Sequence, residues 1–242
     1  MTISFVLTGV ARGELNIMSH LRGHTNTIRL CDSMIREPFG LASVFTEYCH
    51  WGSCSDLIDR HSTQPGGALH IRESWLWQAF KQLAAAINYL HTGGGDSSWA
   101  PILHLDLKPS NVLLTPGFAG PNIKVADFGS ASCIPRGIIG SQTFMGHYAP
   151  PERYFYSQGT FTDVWGVGAV MITLCQLKHR IPRAKSVGWK YSGALADAVK
   201  WCLYDHHAMR VDSRNLSRLL NGLCAHVNMN TTEGVPPIPP IC

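Results

Sequence analysis

Eight residues, His104-Leu105-Asp106-Leu107-Lys108-Pro109-Ser110-Asn111, place an acid, a cation and a carboxamide close together. Asp106, Lys108 and Asn111 stand at i, i+2 and i+5, so one loop can aim all three at a single point. An Asp there accepts a hydroxyl proton, a Lys steadies a transferring phosphoryl group, and an Asn ligates Mg²⁺ through its carbonyl oxygen. Alone, the string equally reads as a polar turn. It has company, however. Asp127-Phe128-Gly129 follows 21 residues after Asp106, directly behind the expected strand Ile123-Lys124-Val125-Ala126. A carboxylate at the end of a strand is well placed to hold a metal. Tyr148-Ala149-Pro150-Pro151-Glu152 comes next, and Asp163-Val164-Trp165-Gly166-Val167-Gly168 opens a long apolar stretch.

Residues of this kind need a frame. The clearest element is a helix over 74–91, with Trp75, Ala79, Leu83, Ile87 and Leu90 on one apolar stripe. The glycines of Thr92–Ser98 stop it. Asn111–Leu114 and Ile123–Ala126 read as short strands separated by a glycine- and proline-bearing loop. From Thr162 onward the pattern is helical and apolar. Upstream, Ile17, Met18 and Leu21 share helical spacing within 13–21, with Glu14 on the face of Met18 and Leu21. Two strands are expected over 27–34 and 42–49, joined by a turn at Arg36–Gly40, and a short helix over 54–59 capped by Ser55. Strands first and helices afterwards predict an α+β chain, a small sheet-containing lobe followed by a helical one.

Composition narrows the class. The 242 residues are 45% hydrophobic and 15% charged, which describes a globular chain. The net charge of +4 comes without any Lys/Arg run, which argues against nucleic acid. The eight cysteines form no CxxC pair and the twelve histidines no HExxH, so reduced thiols in an intracellular protein and no zinc site are expected. Ile3–Leu7 is too short to span a membrane, and Val235–Cys242, rich in proline, reads as an extended, untethered tail.

The ordered set of a His-x-Asp loop ending in Asn, an Asp-Phe-Gly, an Ala-Pro-Glu-like tripeptide and a helix-opening Asp resembles the eukaryotic protein kinase family, from about Glu14 to Leu223. Lys108 points to the serine/threonine type. The resemblance implies ATP and Mg²⁺ as cofactors and a protein Ser/Thr hydroxyl as substrate, in the cytoplasm or nucleus. By that likeness Asp106 is the catalytic base, Lys108 the phosphoryl stabiliser, and Asn111 and Asp127 the Mg²⁺ ligands. Thr46 is then the gatekeeper, and the main chains of Glu47 and Cys49 face adenine. Glu14 corresponds to the glutamate of the small-lobe helix. Glu152 pairs with an arginine, for which Arg210 is the best candidate, and Asp163 braces the 104–111 loop; these last two roles are structural.

The sequence also departs from the family. Thirteen residues precede Glu14, none of them lysine, and Gly9 and Gly13 do not make a phosphate-covering glycine loop. Without the lysine partner, Glu14 reads as a solvated helix residue. Removing one preorganised donor typically costs about 10²–10³ in kcat, so the chain as written is expected to be extremely slow or inactive. Leu105 stands where the family usually has a phosphate-receiving arginine. With that arginine gone, Ser141 and Thr143 are expected to be surface residues rather than switches. His147 replaces part of a Gly-Thr-Pro, so the threonine that contacts the catalytic Asp and Lys in the family is missing. The reading is a truncated small lobe over 1–48 containing two strands, a large lobe with its hinge over 49–228, and a tail over 229–242. The alternative is a catalytically inactive pseudokinase serving as a binding module or scaffold.

Overall fold

The computed structural model describes residues 3–5, 8–21, 23–36, 41–134, 138–139, 147–154, 158–226 and 234–240. Its first part is a three-stranded antiparallel sheet, β1 (Ile3–Phe5), β2 (Leu30–Arg36) and β3 (Leu41–Thr46), in the order β1-β3-β2, with helix α1 (Thr8–His20) beside it. Two strands were expected. The third, β1, pairs Ile3 with Phe45 and Phe5 with Ser43, closing an edge of β3. Exposed Met34 and Ile35 lie along β2 at the other side of the sheet. The strands also start and stop differently from expectation. Ile28 donates its N–H to Val125 O and Val125 to Asn26 O, so residues 26–28 zip onto the second lobe before β2 begins. The residues after Thr46 leave the sheet, and Gly52, at φ 71°, closes a turn onto Cys49 O. The turn expected at 36–40 falls largely outside the described residues.

The second part is built on helices α2 (Cys54–Ser62), α3 (Glu73–Thr92), α4 (Thr160–Gln176), α5 (Gly193–Cys202) and α6 (Ser213–His226). Short strands accompany them: β4 (Ile102–Leu103) with β7 (Ser132–Cys133), β5 (Val112–Thr115) with β6 (Asn122–Val125), and β8 (Ile138–Ile139) with β9 (Gln158–Gly159). The α3 stripe of Trp75, Ala79, Leu83, Ile87 and Leu90 is buried as its spacing requires. Gly93 ends the helix at φ 57°, and a side chain there would overlap Trp99. Helix α4 is buried all round from Val164 to Cys175, which marks it as the core of this lobe.

Two local expectations are corrected. Ser53, not Ser55, caps α2: its hydroxyl accepts the Asp56 N–H, while the Asp56 carboxylate accepts the Ser53 N–H at 2.7 Å. Ser55 sits inside the first turn and faces His179 instead. The proline-rich tail is extended but not untethered. Val235 pairs with the Ile71 segment, and Ile238 is held by Arg60 and His61 of α2. Proline has no N–H for the groove to catch, and the two non-proline residues of 235–240, Val235 and Ile238, do the anchoring.

Candidate active site

The loop 104–111 is held from below by one buried carboxylate. Asp163, in the first turn of α4, accepts the His104 N–H at 2.8 Å, the Leu105 N–H at 2.9 Å and His91 Nε2 at 2.9 Å. His91 Nδ1 in turn meets Ser213 Oγ at 2.9 Å, which ties α3 and α6 to the same point. Burial pushes the Asp163 carboxyl up, but the His91 hydrogen bond and charge with the His104 N–H outweigh it, and the group sits below the usual carboxylate range. Those bonds also hold Leu105 at φ 66°, a left-handed conformation that a leucine keeps only when its surroundings impose it. The Leu105 side chain is 4% exposed and packs with Leu103 and Ile134. Position 105 is thus an apolar plug, with no charge to offer a phosphate.

His104 locks this loop to the Asp127 segment. Its Nε2 lies 3.0 Å from Ala126 O, so that nitrogen carries the proton and Nδ1 accepts the Asp106 N–H at 3.3 Å. Asn111 O accepts the Ala126 N–H at 2.9 Å. Both polar groups of the Ala126 peptide are therefore fixed, one residue before Asp127. Asp127 leaves β6 at φ 64° with its carboxylate exposed, while Phe128 is 1% exposed against His104.

Within the loop, Lys108 Nζ lies 2.7 Å from Asp106 Oδ2, and both side chains are about one-third exposed, at 34% and 32%. Asn111 Nδ2 donates to Asp106 O at 2.8 Å and to Asp106 Oδ2 at 3.1 Å. Two acceptors on the amide nitrogen orient the carboxamide and leave Oδ1, beside Ser110 Oγ, as its acceptor face. Asn111 Oδ1 and the Asp127 carboxylate are hard oxygen donors of the kind Mg²⁺ takes. Among the described residues no group of three His, Cys, Asp or Glu side chains converges. Mg²⁺ that is bound mainly through phosphates needs no such cage.

Glu14 is not a solvated helix residue. It is 9% exposed, and its carboxylate takes the Phe128 N–H. Its pKa is raised, first by burial and then by the Asp127 carboxylate, against the Phe128 bond. Along the segment read as the hinge, Thr46 ends β3 half-buried. Glu47 Oε1 accepts Lys124 Nζ and the Arg29 N–H, both at 2.8 Å, and the Glu47 N–H donates to Arg29 O. Cys49 is buried, which pushes its thiol up to about 11.

Arg210 and Glu152 form a buried two-point ion pair, Nη1 to Oε1 at 2.6 Å and Nη2 to Oε2 at 2.7 Å. The other guanidinium hydrogens reach the carbonyls of Tyr204, Phe161 and Asp205, and the plane lies 4.8 Å from the Trp165 ring. Thr162 Oγ1 joins Glu152 Oε1 at 3.4 Å and receives the Gly159 N–H, tying the pair to the start of α4. Sequence reasoning missed His91 and Thr162. His91 and Asp163 stand 72 positions apart, a separation that offers no spacing signal. Ser141 and Thr143 lie outside the described residues.

Residues 7–229 match the sequence model of the protein kinase domain. The chain is 29% identical to the serine/threonine-protein kinase Nek2 of Homo sapiens, over 91% of this chain and 52% of that protein. It is 27% identical to the G2-specific protein kinase fin1 of Schizosaccharomyces pombe, over 69% of this chain and 24% of the relative. With the serine/threonine-protein kinase ATG1c of Arabidopsis thaliana the identity is 34%, over 62% of this chain and 19% of that protein. The chain belongs to the eukaryotic serine/threonine protein kinase family. It spans about half the length, or less, of these relatives. Among the described residues, no helix is long and apolar enough to cross a membrane.

Proposed function

We propose that this chain carries the phosphoryl-transfer site of a serine/threonine protein kinase, moving the γ-phosphoryl group of ATP to a protein Ser or Thr hydroxyl. The observation that carries the reading is the convergence on Asp106: Lys108 and Asn111 both meet its Oδ2, so Oδ1 is the oxygen turned to an incoming hydroxyl. Asp106 orients that hydroxyl and takes its proton. Lys108 neutralises charge on the transferring group. Asn111 Oδ1 and the Asp127 carboxylate would hold Mg²⁺, which when bound offsets the charge on the phosphates. The Glu47 carbonyl and Cys49 N–H would meet the adenine edge behind Thr46. Glu152, Arg210 and Asp163 keep the platform in place.

A second reading, a non-catalytic binding module, draws on Glu14. It lies buried beside the Asp127 carboxylate, and no lysine precedes it among these 242 residues. The separating experiment incubates the chain with Mg²⁺ and γ-labelled ATP on a degenerate Ser/Thr peptide library. A kinase lacking the lysine should run at least about 10²–10³ below the usual 1–100 per second, and Asp106→Asn should abolish that remainder. Equal labelling by the wild-type chain and Asp106→Asn would refute the assignment of Asp106. No transfer from either protein, with the wild-type chain folded, is the outcome the second reading requires.

A further inference from the structure

The segment 234–240 lies on the large lobe in a pattern with a three-residue period. Pro236 and Pro239 are exposed, Pro237 is buried, and Val235, Ile238 and Pro240 are half-buried. A polyproline II helix has three residues per turn, so two of its edges face the protein here and the third faces solvent. The main-chain bonds repeat with the same period. Val235 donates its N–H to His70 O at 2.9 Å and accepts the Arg72 N–H at 2.8 Å. Three residues on, Ile238 donates its N–H to His61 Nε2 at 3.0 Å and accepts Arg60 Nε at 2.8 Å. Val235 and Ile238 are the two residues of Val-Pro-Pro-Ile-Pro-Pro that possess an N–H, and both peptide groups of each are read.

The receiving groups are set by bonds of their own. His61 is fully buried, and its Nδ1 meets Leu69 O at 2.6 Å, which puts the proton there and leaves Nε2 an acceptor. Arg60 Nη2 is anchored on Trp51 O at 3.0 Å. Gly234, at φ 83°, lets the chain enter; a side chain there would stand 2.9 Å from His70 O. Beyond Val235 the groove widens into a cavity of about 760 Å³ lined by Leu69, His70, Trp189, Lys190 and Tyr191. Trp189 is 89% exposed, and His70 Nδ1 is buried with no hydrogen-bond partner.

We infer that the face formed by Arg60, His61 and residues 69–72 is a polyproline II receptor groove, filled in cis by residues 234–240 and able to take a proline-rich segment of another polypeptide in trans. That partner carries an apolar residue with a free N–H between two proline pairs, the feature His61 and Arg60 read. Recognition runs through the main chain and two prism edges, so it does not depend on the ligand being covalently attached.

The test uses the full chain and a fluorescein-labelled peptide of residues 234–240, read by anisotropy. In cis the segment competes at a millimolar effective concentration, so the wild-type chain should bind the peptide at least tenfold more weakly than a Pro237→Asp chain, whose own segment is expelled. An Ile238→Pro peptide, which keeps the helix but loses the N–H, should bind the Pro237→Asp chain at least tenfold more weakly than the parent peptide. A wild-type dimer that Pro237→Asp dissolves would support trans docking with a second copy as the partner. Absence of saturable binding to a folded Pro237→Asp chain, or equal binding of the two peptides, overturns the inference. Should Pro237→Asp fail to fold, Pro240→Asp replaces it. Hydrogen exchange on the wild-type chain needs no variant: the Ile238 amide should be protected at least a hundredfold, and exchange at the free-peptide rate overturns the docking outright.

Discussion

Gly166 of α4 lies directly beneath Leu107 of the 104–111 loop, so close that a Cβ on Gly166 would stand 2.7 Å from the Leu107 Cβ. That approach lets Asp163, one turn earlier, reach the loop's N–H groups. Helix propensity alone makes Gly→Ala favourable by about 1 kcal/mol. Overpacking costs about 1–3 kcal/mol, and the nearest atom is the Leu107 Cβ, which is fixed to the backbone and cannot rotate away. Gly166→Ala is therefore expected to lower stability despite the better helix former, measured by urea unfolding. A variant as stable as the wild type would mean the loop shifts freely, and the rigid seat argued for Asp106 would be lost.

Arg210 makes the matching prediction on stability. Removing it leaves the buried Glu152 carboxylate without its ion pair and, among the described residues, with Thr162 Oγ1 as its side-chain partner. Breaking a buried pair from one side costs about 3–5 kcal/mol, whereas replacing both partners with apolar groups is often near neutral. Arg210→Ala should thus be strongly destabilising, and Arg210→Met with Glu152→Leu should recover most of the loss. Equal destabilisation by the single and the double variant would show that the carbonyl contacts of Arg210, not the ion pair, carry its effect.

Glu14 should behave as a destabilising charge. Its pKa is raised by burial and by Asp127, so its ionised form is disfavoured in the fold. Between the ordinary value of 4.5 and the raised one, the folded state holds the proton more tightly than the unfolded state. Stability from this group therefore falls as pH rises through that window. Glu14→Gln keeps an acceptor for the Phe128 N–H and removes the charge. At pH 7 its unfolding midpoint should rise above that of the wild type. A lowered midpoint would mean that a cation compensates Glu14 in the folded chain.

Much of this fold is legible in the sequence because its signals are local. The α3 stripe, the short strands on either side of the glycine- and proline-bearing loop, and the apolar run after Asp163 all follow from side-chain period, and burial enforces them. The 104–111 loop is legible as chemistry because Asp106, Lys108 and Asn111 fall within six residues. What could not be read is long-range or too short to have a period. Three residues of β1 show no alternation, and their pairing depends on β3, about 40 residues away. Ser53 and Ser55 are equally good caps by type, and the Asp56 reciprocal bond decides between them. The solvated reading of Glu14 failed because helical spacing says which face a residue occupies, not what packs on it. The tail's docking depends on His61, Arg60 and the 70–72 main chain, far away in sequence.

Histidines set the last prediction. His24, His61 and His70 all have pKa values lowered from 6.5, in each case first by burial. For His61, the Leu69 carbonyl pulls the other way, while Arg60 and His70 add to the lowering. A histidine with a depressed folded-state pKa binds its proton more readily when unfolded. Stability is then fully present above about 6.5 and is lost as pH falls from there toward each folded value. Urea unfolding between pH 8 and pH 5.5 should show a falling midpoint at unchanged m-value. His61 adds a local signature, because protonating Nε2 removes the acceptor for the Ile238 N–H while Nδ1 stays bonded to Leu69 O. The Ile238 amide should lose exchange protection at a higher pH than the core amides of α4. Simultaneous loss at both places would mean that the 234–240 segment unfolds only with the whole lobe and is no separable ligand.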